Sequence, residues 1–217
     1  MNLKIKDFKN IKGTVKAPSS KSYSHRAVIL ASLAEGSSRL YDVLFSEDVL
    51  ASIRACKALG ARITEKEDEK GRSYLEVIGT GGNLHNNMGE TDCLNGESDC
   101  SKSGTSPKEA IDLSNSGTTL RIMTSVAALS DNEVIFTGDD SLKTRPMAPL
   151  LDALEPLGIE TESLLNNNRA PIMIKPGYIG GKTDILGSIS SQFISSILIS
   201  APLSKKGVKL EVYPQFV

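Results

Sequence analysis

Tryptophan is absent from the 217 residues, histidine occurs twice, cysteine three times, and aromatic side chains make up only 5%. Two histidines, His25 and His85, are too few for a histidine-built metal centre and argue against a Ser-His-Asp triad. An odd number of cysteines without a regular framework suits a reducing cytoplasm rather than a disulfide-stapled secreted domain. The apolar runs Ala27–Ala34 and Phe193–Leu203 fall well short of the roughly 20 residues of a membrane span. Met1–Asp7 lacks the apolar stretch of a signal peptide. An excess of charge is missing too: 25 Lys and Arg stand against 26 Asp and Glu, for a net charge of −1. A general nucleic-acid binder carries more basic charge, so the cations here act locally. A cytoplasmic protein with neither membrane nor nucleic-acid partner is expected.

What the chain does have is three serine- or glycine-rich loops, each placed to open a helix. They are Pro18 to Arg26 (PSSKSYSHR), Asn115 to Arg121 (NSGTTLR) and Gly187 to Gln192 (GSISSQ). The first N–H groups of a helix have no internal partner, and the helix dipole is positive there, so each start attracts phosphate or carboxylate. Three such starts, two with a cation in the first turns, point to a ligand or ligand pair with several negative groups.

The chain also repeats. Leu59-Gly60-Ala61 leads on to Gly81-Gly82, and Leu157-Gly158-Ile159 leads on to Gly180-Gly181, with Gly60 and Gly158 lying 98 residues apart. Ser46 and Thr144, each expected before a helix, share that offset. Similarity at a fixed offset marks duplicated supersecondary units. An α/β fold built from βαβαββ units follows. The first unit covers about 13–82, the second 109–181, and a third, incomplete, 182–217. In the first, Gly13–Ala17 is expected as a strand and about 21–34 as a helix with an apolar stripe of Tyr23, Ala27, Leu30, Ala31 and Ala34. A strand over Ser37–Leu44, a helix capped by Ser46 and ended by Gly60, and a hairpin follow. The second unit places Pro146 at the first position of its second helix. Residues 83–108 read as a polar insertion; Cys93 and Cys100 near His85 match no common zinc spacing, and no metal or cofactor is expected.

The loop Pro18, Ser19, Ser20, Lys21, Ser22 with His25 and Arg26, then Asn115, Ser116, Gly117, Thr118, then Thr144, Arg145, Pro146, then Ser190, Ser191, Gln192 occur in a specific order. In that order and spacing the chain resembles the 5-enolpyruvylshikimate-3-phosphate synthase family over nearly all its length except 90–108. The resemblance implies an enolpyruvyl transferase fold, two lobes that are each an inside-out α/β barrel. Residues 13–217 would belong to the shikimate 3-phosphate lobe and residues 1–12 would be a strand of a second lobe. It implies transfer of the enolpyruvyl group of phosphoenolpyruvate to the 5-hydroxyl of shikimate 3-phosphate with release of phosphate, in aromatic amino-acid biosynthesis.

By the same resemblance, Lys21, Ser22, Arg26, Ser190, Ser191 and Gln192 would hold shikimate 3-phosphate. Lys21, Gly117, Arg145 and Gln192 would face phosphoenolpyruvate, with Asn115, Thr118 and Arg121 as further candidates and Lys21 in the catalytic role. His25 is left as a packing or supporting residue. Ile122 follows Arg121 where plant and enterobacterial members have proline. The acid–base carboxylates would lie in the second lobe, so the chain reads as a fragment of a monomeric enzyme, inactive on its own. The alternative is a non-catalytic anion-binding half that needs a partner chain.

Overall fold

Serine sets where most of the helices begin. The computed structural model describes residues 12–85 and 110–213. In it Ser20 caps α1 (Lys21–Leu33), Ser46 caps α2 (Glu47–Ala58), Ser116 caps α3 (Gly117–Ala127) and Ser190 caps α6 (Ser191–Ser200). In each case the serine hydroxyl accepts a hydrogen bond from an N–H of the first turn that the helix itself cannot satisfy. Two shorter helices, α4 (Asp140–Lys143) and α5 (Ala148–Leu154), lie between α3 and α6.

Three sheets follow the three units. The first runs β1 (Ser37–Tyr41), β3 (Ser73–Ile78), β2 (Arg62–Glu67), with both pairings antiparallel. The second runs β4 (Ile111–Asp112), β5 (Val134–Thr137), β7 (Ile172–Ile174), β6 (Thr161–Ser163), in which β4 and β5 are parallel. The third pairs β8 (Gly181–Leu186) with β9 (Val208–Tyr213), also in parallel. The second unit shows a parallel pair bridged by a helix with an antiparallel hairpin laid against it; among the described residues the first unit shows the hairpin and the third the parallel pair. The glycine repeat marks the same place twice, since Gly60 and Gly158 both adopt the left-handed conformation just past a helix end.

The helices sit inside and the sheets outside. Almost every residue of α3 is buried, and it packs against α2, α6 and β5. The outer sheet faces are wet: β1 and β9 alternate exposed and half-buried residues along their whole length. α3 approaches α6 closely because the facing positions are small, and Ser125 Oγ donates to or accepts from Ser196 at 2.7 Å.

Several sequence expectations change. Only the second unit shows all six elements, because Gly13–Ala17 forms no strand among the described residues. It lacks the parallel partner that β4 and β8 each have, and Val15 is 90% exposed. β1 stops at Tyr41, as Asp42 turns left-handed. The expected α1 stripe is only partly right, since Ala31 is buried but the two largest members of the stripe face outward. Tyr23 is 78% and Leu30 50% exposed, while Val28 and Ile29 are fully buried beside His25. α1 is apolar around much of its circumference, so periodicity alone does not select a face. Pro146 does not open the second helix of its unit; Pro149 lies in the first turn of α5 instead. Thr144 closes α4, which Asp139 caps, so Ser46 and Thr144 do not play matching parts. Residues 1–11, most of the insertion, and Cys93 and Cys100 lie outside the described residues. Among the described residues no helix is long and apolar enough to cross a membrane.

Candidate functional site

Hydrogen bonds gather the starts of four helices at one end of the molecule. Lys21, first residue of α1, donates from Nζ to Asp48 Oδ2 in the first turn of α2 at 2.6 Å. The Asp48 carbonyl accepts from Thr119 Oγ1 in the first turn of α3 at 3.2 Å. Gln192 in the first turn of α6 donates from Nε2 to Thr118 Oγ1 at 2.8 Å. Four positive dipole ends then lie close together, which in a half-buried setting favours anions.

Arg26 ties the first unit to the third. One turn into α1, it donates to the Ser22 carbonyl at 3.1 Å and to Ser195 Oγ at 2.9 Å, and Ser195 in turn donates to the Ser191 carbonyl at 3.0 Å. Lys21, Ser22 and Ser191 remain exposed at this opening, and Ser190 spends its hydroxyl on capping α6. This arrangement can take a phosphate against two helix starts, with a planar guanidinium beneath it.

The second cluster is built on α3. Gln192 Oε1 accepts from Arg121 Nη1 at 2.7 Å, and the Arg121 guanidinium lies 5.2 Å from the centre of the Phe193 ring. The Arg121 Nε is buried and has no partner. Burial, and then the nearby Arg145 charge, hold the Arg121 pKa below its ordinary value. Arg145 lies flat across Gly117: a Cβ on that glycine would overlap Arg145 Nη1 and come within 3.0 Å of its Cδ. Gly117 therefore lets the Arg145 guanidinium approach the backbone. Among the described residues neither Arg121 nor Arg145 meets a carboxylate. Two guanidiniums drawn together without a counter-ion are the electrostatic signature of an anion site.

The structure thus brings together Lys21, Ser22, Arg26 and Ser191 at one opening, and Gly117, Thr118, Arg121, Arg145 and Gln192 at the next. Asn115 stands apart: it is exposed, and its carbonyl accepts from the Gly117 N–H.

Comparison with known proteins decides between the enolpyruvyl transferases and other anion binders. The family model for EPSP synthase (3-phosphoshikimate 1-carboxyvinyltransferase) matches residues 5–95 and 72–214. The chain belongs to the EPSP synthase family. A 3-phosphoshikimate 1-carboxyvinyltransferase of Methanobrevibacter smithii is 60% identical over 216 residues, and one of Methanothermobacter thermautotrophicus is 48% identical over 217. Both comparisons cover all of this chain but 44% and 45% of those proteins, so it spans under half the length of the curated relatives it matches. The solved EPSP synthase of Acinetobacter baumannii superposes with a TM-score of 0.68 at 25% identity, covering 88% of this chain and 39% of that one. The mixed α/β architecture with its outer sheets is the enolpyruvyl transferase fold.

Four groups at this EPSP synthase-like site escaped the sequence reading: Asp48, Ser52, Thr119 and Ser195. Ser195 lies four residues from Ser191, so helical spacing could have flagged it. Asp48 and Ser52 reach the site only through the contacts of α2 with α1 and α3. His25 is fully buried, with Nδ1 at 2.7 Å from Ser52 Oγ. Burial is the largest influence on its ring and lowers the pKa to about 4; Asp48 opposes this, while Lys21 and Arg26 add to it.

Proposed function

We propose that this chain supplies the shikimate 3-phosphate-binding lobe of an enzyme that transfers the enolpyruvyl group of phosphoenolpyruvate to the 5-hydroxyl of shikimate 3-phosphate, releasing phosphate. The observation that carries the reading is the pair of adjacent anion clusters, one bridging α1 and α6 through Arg26, the other holding Arg121 and Arg145 without a counter-ion among the described residues. Two phosphorylated substrates that react with each other need two such places side by side.

In this reading Ser22, Arg26, Ser190 and Ser191, with Lys21 and Gln192, hold shikimate 3-phosphate. Lys21, Arg145 and Gln192 face phosphoenolpyruvate at the turn of Gly117, assisted by Arg121 and Thr118, with Asn115 at the rim. The 5-hydroxyl oxygen gives up its proton and attacks the enol carbon bearing the phosphate ester while the C=C π pair takes a proton at the methylene carbon, which makes a tetrahedral centre. Later, as the new methyl group loses a proton and the C=C bond re-forms, the C–O bond to phosphate breaks. Negative charge grows on the leaving phosphate as that bond breaks. A lysine is a compact point charge that can follow it, and Lys21 is half-exposed beside that position. The acid–base pair of the reaction is not assigned to residues of this chain. Residues 1–12 are assigned to a second lobe, 13–217 to this one, and the enzyme is read as a cytoplasmic monomer.

Titration calorimetry with shikimate 3-phosphate tests the reading. Arg26→Ala removes a charge-assisted contact and should weaken binding by about 1.5–3 kcal/mol, roughly 10- to 150-fold. Unchanged affinity would remove Arg26, and with it the α1–α6 phosphate site.

A further inference from the structure

A buried chain of hydroxyls runs from α1 to α3, and satisfying the one carbonyl it touches gives it a direction. Thr119 Oγ1 has contacts with Ser52 Oγ at 2.8 Å, Ser116 Oγ at 2.6 Å and the Asp48 carbonyl at 3.2 Å. A carbonyl only accepts, so Thr119 gives its one hydrogen to Asp48 and accepts from both serines. Ser116 is free to donate, because its oxygen is already accepting from the Thr119 N–H at 3.3 Å. Ser52 then spends its hydrogen on Thr119 and must accept from His25, 2.7 Å away. This direction assigns the imidazole the Nδ1–H tautomer, with a bare Nε2 that is buried and has no partner among the described residues.

That bare Nε2 says what the histidine is for. A phenyl ring would fill a fully buried position without leaving an orphaned acceptor. What the imidazole adds there is one donor, Nδ1–H, aimed at Ser52. We propose that His25 is a positioning residue: its Nδ1–H begins a relay through Ser52 and Thr119 that holds the start of α3 at a fixed spacing from the start of α1. Lys21 and Ser22 open α1 only a turn before His25, and Gly117 and Thr118 open α3 immediately before Thr119. The relay thus sets the distance between the two anion clusters. Its functional consequence rests on the reading above, in which those clusters hold the two substrates. Burial keeps the ring neutral near pH 7, the state in which a single tautomer can have one direction.

NMR on the 217-residue protein tests this. Long-range proton–nitrogen correlations of the His25 ring at pH 7 should show the Nδ1–H tautomer; the Nε2–H form would overturn the relay. His25→Phe should shift the amides of Gly117, Thr118 and Thr119, although they lie two helices away in the chain of contacts. Ser52→Ala, which breaks the next link with little change of volume, should move the same three and serves if the Phe variant does not fold. His25→Asn carries a donor nitrogen on Cγ, as Nδ1 is, and should leave those amides near their original positions. Unmoved amides in His25→Phe, or Asn behaving as Phe does, would reduce His25 to packing.

A second readout separates the relay from the assigned function. In His25→Phe, phosphoenolpyruvate titrated against protein saturated with shikimate 3-phosphate should bind about tenfold more weakly, the loss of one hydrogen bond. Shikimate 3-phosphate alone should bind within about threefold of its original affinity. If neither substrate binds the unaltered chain, the functional reading fails, while the tautomer and the three amides still decide the relay.

Discussion

The starts of α1 and α3 look alike in sequence, each a serine cap followed by small polar residues, yet they are opposite in electrostatics. At α1 the cation is exposed and neutralised, Lys21 pairing with Asp48 at 2.6 Å. At α3 the cations are half-buried and meet no carboxylate among the described residues, and Arg121 is held below its ordinary pKa. A charge that is balanced in the free protein contributes to folding and must be re-partnered when a ligand arrives. A charge left unbalanced opposes folding and is released by the ligand. The two ends are therefore expected to respond differently to the same kinds of change.

The contrast should break hardest with acid, because beneath the α1 start sits a neutral imidazole. His25 has a folded pKa of about 4, below its ordinary 6.5, so between those values the unfolded chain binds more protons. The contribution of His25 to stability should then fall as pH drops from about 6.5 towards 4, by on the order of 3 kcal/mol in total, and level off below. Urea unfolding at stepped pH reads this, and His25→Asn should flatten the slope. An equal slope in that variant would place the acid sensitivity elsewhere.

Arg145→Ala removes one of the unbalanced cations. Phosphoenolpyruvate affinity should fall by about 1.5–3 kcal/mol, while Tm holds steady or rises as Arg121 loses its like-charged neighbour. A lower Tm would mean that Arg145 is a structural brace. Gly117→Ala asks the same question more gently. The added methyl must push Arg145 aside, so phosphoenolpyruvate should bind roughly 1 kcal/mol more weakly, and shikimate 3-phosphate little differently. Combined with Arg145→Ala, the glycine substitution should cost almost nothing further; additive losses would show that the methyl meets something else.

The smallest effect belongs to the balanced end. Lys21→Met removes an exposed ion pair, and such pairs contribute about 0–1 kcal/mol, so stability should drop by no more than that. In the complete enzyme its larger consequence should be on turnover and phosphoenolpyruvate. A kcat/KM for phosphoenolpyruvate left unchanged would demote Lys21 to a loop residue.

The sequence made this contrast half visible. Serines 20, 46, 116 and 190 mark helix starts because capping is a local interaction, settled within a few residues of chain. The glycine repeat is legible for the same reason, since a left-handed residue past a helix end needs no distant partner. What stayed hidden depends on contacts between units. Asp48 meets Lys21 across 27 residues of chain, and Ser52 meets Thr119 across 67. The buried face of α1 is set by α2 and the first sheet, so Tyr23 and Leu30 looked like core although they face outward. Gly117 was legible as a place of close approach, but the sequence offered no way to see that Arg145 occupies it.

The guanidiniums beside Gly117, which meet no carboxylate among the described residues, also mean that a melting temperature measured for this protein belongs partly to its solvent. Any small anion that settles between Arg121 and Arg145 binds the folded chain and not the unfolded one. By mass action it adds about 2.7 kcal/mol when present at a hundred times its dissociation constant. For a chain of this size that is a shift of roughly 5–10 °C. Phosphate and sulfate buffers would then report one protein, and a zwitterionic amine buffer of low ionic strength a softer one, with the same covalent structure.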